Sequence, residues 1–123
     1  MPSADQHRNK VENNRAFLAT ISRDEFPEWV VVAAFYTAVH LVERVRAASG
    51  HGDSFSHDDR STYVLHEHPT IHDQYHERLN ASMLARYRSR ADFFAHFQPD
   101  TLDSGLLVYL TEIEKYVAER LGS

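Results

Sequence analysis

The longest apolar run in this sequence, residues 29–36, constrains the fold most strongly. It lies in a stretch that shows no turn signal before Gly50, and Pro27 suits the first turn of a helix, where its missing N–H costs little. The valines at 30–32 would also suit a strand, but the uninterrupted length favours a helix over residues 27–48. Because its first half is apolar on every side, we expect this helix at the centre of the fold, surrounded by the others.

The remaining segments predict helices around that central one. Apolar residues recur at helical spacing, a capping box at Ser3 and Gln6 opens the first helix, and Ser56 is placed to cap a short later helix. With 123 residues, four glycines and four prolines, the chain has room for one core and few, long elements. We therefore predict an all-α fold, an antiparallel up-and-down bundle of about four to five helices in a single domain spanning 1–123. The additional predicted helices cover residues 4–22, 57–66, 70–87 and 101–121.

The charge balance limits the kinds of partner. A formal net charge of -5 argues against a protein that coats nucleic acid by bulk electrostatics, so any anion site must be local. Nine histidines indicate behaviour that depends on pH. The chain has no cysteine, and Met1 is followed by a polar stretch without an apolar signal core. These features predict a cytoplasmic protein with no membrane partner.

Arg60 and His66 are the first candidates for chemistry. They combine a permanently charged guanidinium with a side chain that exchanges protons near neutral pH, which suits metal-independent phosphoryl chemistry on RNA. On a helix they are separated by roughly 120° and about 9 Å, so they do not meet through backbone placement alone. A two-fold dimer pairing this edge, which includes Tyr63, with its copy would gather both pairs in one cleft. The alternative is that Arg60 pairs with a nearby carboxylate and His66 is a helix-end cation.

His40 belongs to a thin polar stripe on the central helix. It follows Tyr36 by four residues and precedes Glu43 by three. In one reading His40 lines the same cleft as Arg60 and His66. In the other it is a histidine at the edge of the core, hydrogen-bonded to Tyr36 or Glu43.

A local basic cluster lies near the end of the fourth predicted helix. Arginine forks bind phosphate in a bidentate manner and an adjacent aromatic ring can stack on a base, although such a cluster can also be a solvated face. The cluster consists of Arg78, Arg86, Tyr87, Arg88 and Arg90. The candidate substrate-binding residues are His40, Tyr63, Arg86, Tyr87 and Arg88.

A metal site is a weaker possibility. His72 and His76 are one helical turn apart, the spacing of a metal-binding pair, and His40 or a carboxylate from another helix would have to complete the site. No glutamate follows the first histidine as in a zinc-protease signature, which favours a surface histidine ladder. The sequence has no phosphate-cradling glycine-rich loop and no nucleophile elbow. We expect no cofactor and no resident metal.

With these features the chain resembles the HEPN family of small helical-bundle proteins. The family's signature is an arginine, a polar residue and then a histidine after four to six intervening positions, which Arg60, Ser61 and His66 satisfy. Ser61 stands where relatives usually carry a larger amide or acid. The segments that carry the resemblance are 29–40, which reads W-x-V-x-x-x-F-Y-x-A-x-H, 56–60, which reads S-H-D-D-R, and 82–87, which reads S-M-L-A-R-Y.

The resemblance implies a homodimer whose paired motifs form a metal-independent RNA-cleaving site, typically the toxin half of a toxin–antitoxin or defence system. His66 would be the general base or acid at the ribose 2′-OH and the leaving 5′-oxygen. Arg60 would stabilise charge on the phosphorane oxygens and Ser61 would orient them, giving a 2′,3′-cyclic phosphate.

Two other hypotheses remain open at this point. Many members of the family have no nuclease activity, so the chain could be a non-catalytic nucleotide- or protein-binding module partnered with a nucleotidyltransferase. The third hypothesis is a metal-binding bundle built on His40, His72 and His76. The expected partners are thus RNA or a nucleotide, an antitoxin or a nucleotidyltransferase, and a second copy of the chain.

Overall fold

A computed structural model describes residues 3–22, 24–87 and 105–122, and within these ranges the protein is an all-α helical bundle. The predicted fold class is therefore confirmed. Part of the last predicted helix lies outside the described residues, as do Arg88 and Arg90. The helices are α1 (Ala4–Thr20), α2 (Pro27–Ala48), α3 (His57–Glu67), α4 (His72–Tyr87) and α5 (Leu107–Leu121), with a 3₁₀ turn at Pro69–Ile71 between α3 and α4.

The helix ends follow their local sequence signals. Ser3 Oγ accepts a hydrogen bond from the Gln6 N–H at 3.2 Å, and Gln6 Oε1 accepts one from the Ser3 N–H at 2.7 Å, which completes the capping box of α1. Ser56 Oγ accepts from the Asp59 N–H at 3.0 Å and caps α3. Gly50, just beyond α2, has a φ of 86°, a left-handed conformation that glycine adopts without steric cost.

Helix α2 is the central helix of the bundle. It packs against α1, α4 and α5, and its Phe35 and Ala38 are completely buried. One edge of the apolar first half of α2 is exposed to solvent, as the 56% exposure of Trp29 shows. The core around α2 is completed by Val11 from α1, Val64 from α3, Tyr75 from α4, and Leu110, Ile113 and Val117 from α5.

The contacts between helices establish an antiparallel arrangement. His7 near the start of α1 meets His40 in the second half of α2, whereas Phe17 and Trp29 lie together near the loop that joins the two helices. Helices α4 and α5 also run in opposite directions, because Gln74 donates to Glu112 while Ala81 packs near Leu106. The side chain of Arg15 on α1 donates to Glu114, which ties α1 to α5. No helix within the described ranges is both long and apolar enough to cross a bilayer.

Candidate functional site

A buried ion pair joins α3 to α2. Arg60 is 9% exposed, and its Nε donates to Glu43 Oε1 at 2.7 Å. Its Nη1 hydrogen-bonds His57 Nδ1 at 2.9 Å and lies 3.4 Å from the Tyr75 hydroxyl. Burial by itself lowers the pKa of Arg60, but Tyr75 and Glu43 outweigh it and raise the pKa above its ordinary value. The guanidinium is therefore charged, and its partner is the nearby carboxylate that one reading of the sequence predicted.

His57 is held in one tautomer by that arginine. A guanidinium can only donate, so His57 Nδ1 must accept and the proton of the neutral ring sits on Nε2. Burial lowers the pKa of His57, and the charges of Arg60 and Arg86 lower it further, against a smaller effect of Asp58. At neutral pH the ring is therefore an uncharged hydrogen-bond donor through Nε2.

A second histidine chain links α1, α2 and the loop after α2. His7 Nε2 lies 2.8 Å from Asp53 Oδ1, and His7 Nδ1 lies 3.0 Å from His40 Nδ1. His7 is buried, at 4% exposure, and His40 is half-buried. Burial lowers the pKa of His40, and His7, Lys10 and Arg60 lower it further, whereas Glu43 raises it. The hydrogen-bond partner of His40 is thus His7, and neither Tyr36 nor Glu43 takes that role.

The carboxylates of this region are already paired. His7, Glu43 and Asp53 offer ligand atoms within 4.8 Å of one another, close enough to share a cation. However, Glu43 Oε1 binds the Arg60 guanidinium and Oε2 accepts from the Ser54 N–H at 3.2 Å. A divalent ion would have to displace these bonds beside a fixed positive charge, so hydrogen bonding accounts for the group better than metal ligation does.

The histidine ladder on α4 is a pair without further ligands. The rings of His72 and His76 stack with their centroids 5.6 Å apart. Among the residues that the structure describes, no third histidine or carboxylate joins them in a group that could hold a metal ion. His40, which the metal hypothesis would add, hydrogen-bonds His7 on α1.

A surface groove runs between α1 and α2, and we call it the α1–α2 groove. One depression of about 340 Å³ and another of about 320 Å³ share Lys10 and His40 as lining residues. The second depression shares Phe17 and Trp29 with a third that continues toward the loop between the helices. Phe17 is 53% exposed, so two aromatic rings, an ammonium group and an imidazole line one continuous surface. The lining also includes Gln6, Asn13, Asn14, Tyr36 and Phe26.

Arg86 on α4 lies at the edge of the groove through its contact with Tyr36. Its Nη1 donates to the Tyr36 hydroxyl at 2.7 Å. Its guanidinium carbon lies 5.5 Å from the Tyr36 ring centroid and 5.2 Å from that of the exposed Tyr87. Of the predicted substrate-binding residues, the structure thus groups Arg86 and Tyr87 near Tyr36, which lines the groove together with His40.

The other predicted site residues lie on α3 and have separate surroundings. His66 is exposed in the last turn of α3, and no described contact joins it to Arg60. Ser61 Oγ is buried and lacks a hydrogen-bond partner among the described residues. The Tyr63 hydroxyl lies 3.1 Å from Nε2 of the buried His68, whose Nδ1 contacts the Tyr116 hydroxyl at 2.8 Å. Within one chain, Arg60 meets Glu43 on α2, whereas Tyr63 meets His68 and carries the guanidinium carbon of Arg46 4.9 Å from its ring centroid.

Sequence reasoning missed His7, Asp53 and His57. A signal existed for His7, which precedes Val11 by one helical turn on the buried face of α1. His57 lies inside the segment that resembles the HEPN family, three residues before Arg60, a spacing that places two side chains on the same face of a helix. Asp53 lies in a loop, where no periodic pattern indicates direction.

Comparisons with protein-family models, with curated proteins and with solved structures each find no match. Function is therefore inferred from the geometry of these side chains and from the sequence resemblance described above.

Proposed function

We propose that this protein is a HEPN-like module that binds single-stranded RNA in the α1–α2 groove. The observation that carries the proposal is the convergence of exposed aromatic rings and hydrogen-bonding groups on one surface, namely Phe17, Trp29, Lys10 and His40. Aromatic side chains stack on bases that are not already stacked in a duplex, which favours a single strand. The ammonium of Lys10 supplies a phosphate contact beside those rings.

The length of the groove supports an oligonucleotide as the ligand. Its lining on α1 extends from Gln6 to Thr20, roughly 21 Å of helix at about 1.5 Å per residue. That distance accommodates several nucleotides. Because the chain carries a net charge of -5, binding depends on these local contacts, and we expect a shallow dependence of affinity on salt concentration.

The HEPN resemblance supports RNA as the nucleic acid and adds three further proposals. These are a homodimer, metal-independent endonuclease activity at Arg60, Ser61 and His66, and a partner that is an antitoxin or a nucleotidyltransferase. The burial of Arg60 against Glu43 favours binding over chemistry at Arg60, since the guanidinium already has a carboxylate partner. We therefore rank RNA binding as the leading proposed function. The second is a non-catalytic nucleotide-binding module.

The first test is a titration with fluorescein-labelled oligouridine, followed by anisotropy and by the fluorescence of Trp29, the chain's single tryptophan. Stacking on an exposed indole quenches its emission, so we expect quenching to track the anisotropy change. Replacing Trp29 by alanine should weaken binding about tenfold, because base–aromatic stacking contributes roughly 1–3 kcal/mol per base.

The electrostatic contribution to RNA binding can be tested with a matched pair of lysines, since the chain contains only Lys10 and Lys115. Lys115 is exposed on α5, outside the groove. Lys10→Ala should weaken binding several-fold and reduce the salt slope by about one phosphate contact, whereas Lys115→Ala should do neither. Absence of binding by the wild type, or equal losses in the two variants, would contradict the proposal.

A further inference from the structure

The loop end of the α1–α2 groove holds the largest of its three depressions, with a volume of about 680 Å³, and we call it the loop-end pocket. The end of α1, the connecting loop and the first turn of α2 line it. Three of the lining side chains are aromatic and about half exposed, namely Phe17, Phe26 and Trp29. No other ring of the described residues stacks on any of the three. The pocket therefore presents aromatic faces on which a nucleic-acid base can stack.

Two of the three polar side chains in this pocket offer hydrogen-bond acceptors. Glu25 is exposed, and it is the single charged side chain among the described residues of the lining. The Thr20 hydroxyl donates to the Phe17 carbonyl at 2.7 Å, so its oxygen is left as an acceptor. A carboxylate has about four lone-pair directions, so Glu25 can bind a ligand while it keeps another contact. A ligand that fits this lining must donate hydrogen bonds.

The third polar side chain, Ser22, holds the backbone that carries Glu25 and Phe26. Its Oγ accepts from the Glu25 N–H at 3.2 Å, and its carbonyl accepts from the Phe26 N–H at 2.9 Å. The Phe26 carbonyl accepts from the Trp29 N–H at 3.1 Å, which ties the loop to the first turn of α2. The carboxylate and two of the rings are thus linked by backbone hydrogen bonds before a ligand binds, which lowers the entropy cost of recognition.

We infer that the loop-end pocket selects a guanine base of the bound strand. This inference rests on the proposed binding of RNA in the α1–α2 groove, and it names the base that this groove prefers. Guanine is the standard RNA base that carries two adjacent donors, N1–H and the N2 amino group, on its Watson–Crick edge. The two oxygens of a carboxylate accept two parallel donors. Glu25 accepts this pair while the base stacks on the aromatic rings.

The hydrogen-bonding edges of the other bases match Glu25 less well. Adenine and cytosine each place a ring-nitrogen acceptor beside their amino group, so that acceptor would face the carboxylate. Uracil has one donor, N3–H, between two carbonyl oxygens. An acceptor held against an ionised carboxylate is repelled and lacks a partner, which costs binding free energy.

Charge along the groove orients the strand in the same sense. Glu25 repels phosphate groups, whereas Lys10 lines the two neighbouring depressions. Lys10 and Thr20 are ten residues apart on α1, which is about 15 Å of helix. The backbone of the strand therefore lies toward Lys10 while the guanine base enters the loop-end pocket.

The experiment compares the affinities of the full chain for fluorescein-labelled oligonucleotides by anisotropy. The set consists of oligouridine and the same strand with one central guanosine, inosine or adenosine. We expect the guanosine strand to bind about tenfold more tightly than oligouridine, the discrimination that a bidentate base contact provides. Inosine lacks the 2-amino group and should bind between the two. Adenosine can stack but presents an acceptor, so it should stay within about threefold of oligouridine.

Glu25→Gln tests the carboxylate directly. The amide has one acceptor oxygen with a donor beside it, so the preference for guanosine should fall to about twofold or less while oligouridine still binds. The ratio of the two affinities is the readout, because the change in net charge affects both strands equally. Glu12→Gln makes the same charge change on an exposed part of α1 outside the groove lining, and it should keep the wild-type preference.

Four outcomes would overturn the inference. Equal affinities for all the strands would refute guanine selection and leave the proposed RNA binding in place, whereas absence of binding to any strand would refute both. An adenosine strand that binds as tightly as the guanosine strand would show selection by stacking area. A preference for guanosine that persists in Glu25→Gln would show that the base is read outside the loop-end pocket.

Discussion

Arg78 is the largest side chain that the bundle buries completely among the described residues. It is 1% exposed, and its Nε and Nη2 have no hydrogen-bond partner there. Burial lowers its pKa to about 9, against the opposing charges of Glu112 and Glu114. The sequence groups Arg78 with Arg86 in a basic cluster, but the burial of Arg78 removes it from any RNA-binding surface. A cation in this position opposes folding, since its desolvation is only partly compensated.

Replacing Arg78 by methionine should therefore stabilise the protein. We expect a gain of about 1–4 kcal/mol in the free energy of unfolding, measured by urea denaturation at neutral pH, because an apolar side chain of similar length removes the buried charge. Arg8→Met is the control, since Arg8 is exposed, and its effect should stay within about 0.5 kcal/mol. A loss of stability in Arg78→Met would contradict this account and indicate an anion partner for the guanidinium.

At the scale of the elements, α3 carries the catalytic residues that the sequence predicts, Arg60, Ser61 and His66. Its first turn presents Arg60 to Glu43 and His57, and its start is determined by the Ser56 cap. The spacing of Arg60 and His66 along α3 was readable in the sequence. The burial of Arg60 and the exposure of His66 were not, because they depend on how α3 packs against α2 and α4. A short helix carries too few apolar residues for its inward face to be assigned.

Removing the cap of α3 should cost a measurable amount of stability. Ser56→Ala deletes the acceptor of the Asp59 N–H, and we expect a loss of about 1 kcal/mol in the free energy of unfolding. Thr62→Ala in the middle of the same helix is the control, because Thr62 is exposed and alanine is a good helix former. Equal effects of the two substitutions in thermal or urea denaturation would argue against a capping role.

For the whole molecule, three histidines, His68 buried and His40 and His57 half-buried, make the stability of the bundle depend on pH. Burial is the largest cause that lowers the pKa of His40, His57 and His68 below their ordinary value of 6.5. In the unfolded chain these histidines bind protons at higher pH than in the bundle. The unfolded state therefore binds more protons below about pH 6.5, and the stability of the fold decreases as the pH falls through that window.

We accordingly expect the melting temperature to fall between about pH 7 and pH 5. His68→Asn should be less stable at neutral pH. It should also flatten the pH dependence of the melting temperature, because it removes an imidazole whose pKa is lowered in the folded protein. His51→Ala is the control, since His51 is exposed, and it should keep the wild-type slope. A melting temperature that rises on acidification would show that other groups dominate the proton balance.

The sequence by itself determined the helices and most of the helix ends that the structure describes, although α1 ends two residues earlier and α4 begins two residues later than predicted. Capping residues, Pro27, Gly50 and Gly122 act within a few residues of the helix ends that they define, and the apolar run in α2 required neighbours on most sides. These interactions are local or depend on the average hydrophobicity of a segment, so they can be predicted from the sequence.

Only the tertiary structure decided which polar groups meet. His7 and His40 are 33 residues apart in the chain, His7 and Asp53 are 46 apart, and Glu43 and Arg60 are 17 apart. Such pairs depend on the rotation and register of packed helices and on the path of a loop. For the same helical pattern these can differ enough to move two side chains apart by more than the length of a hydrogen bond. His40 was therefore visible in the sequence as a candidate site residue, and its contact with His7 was not.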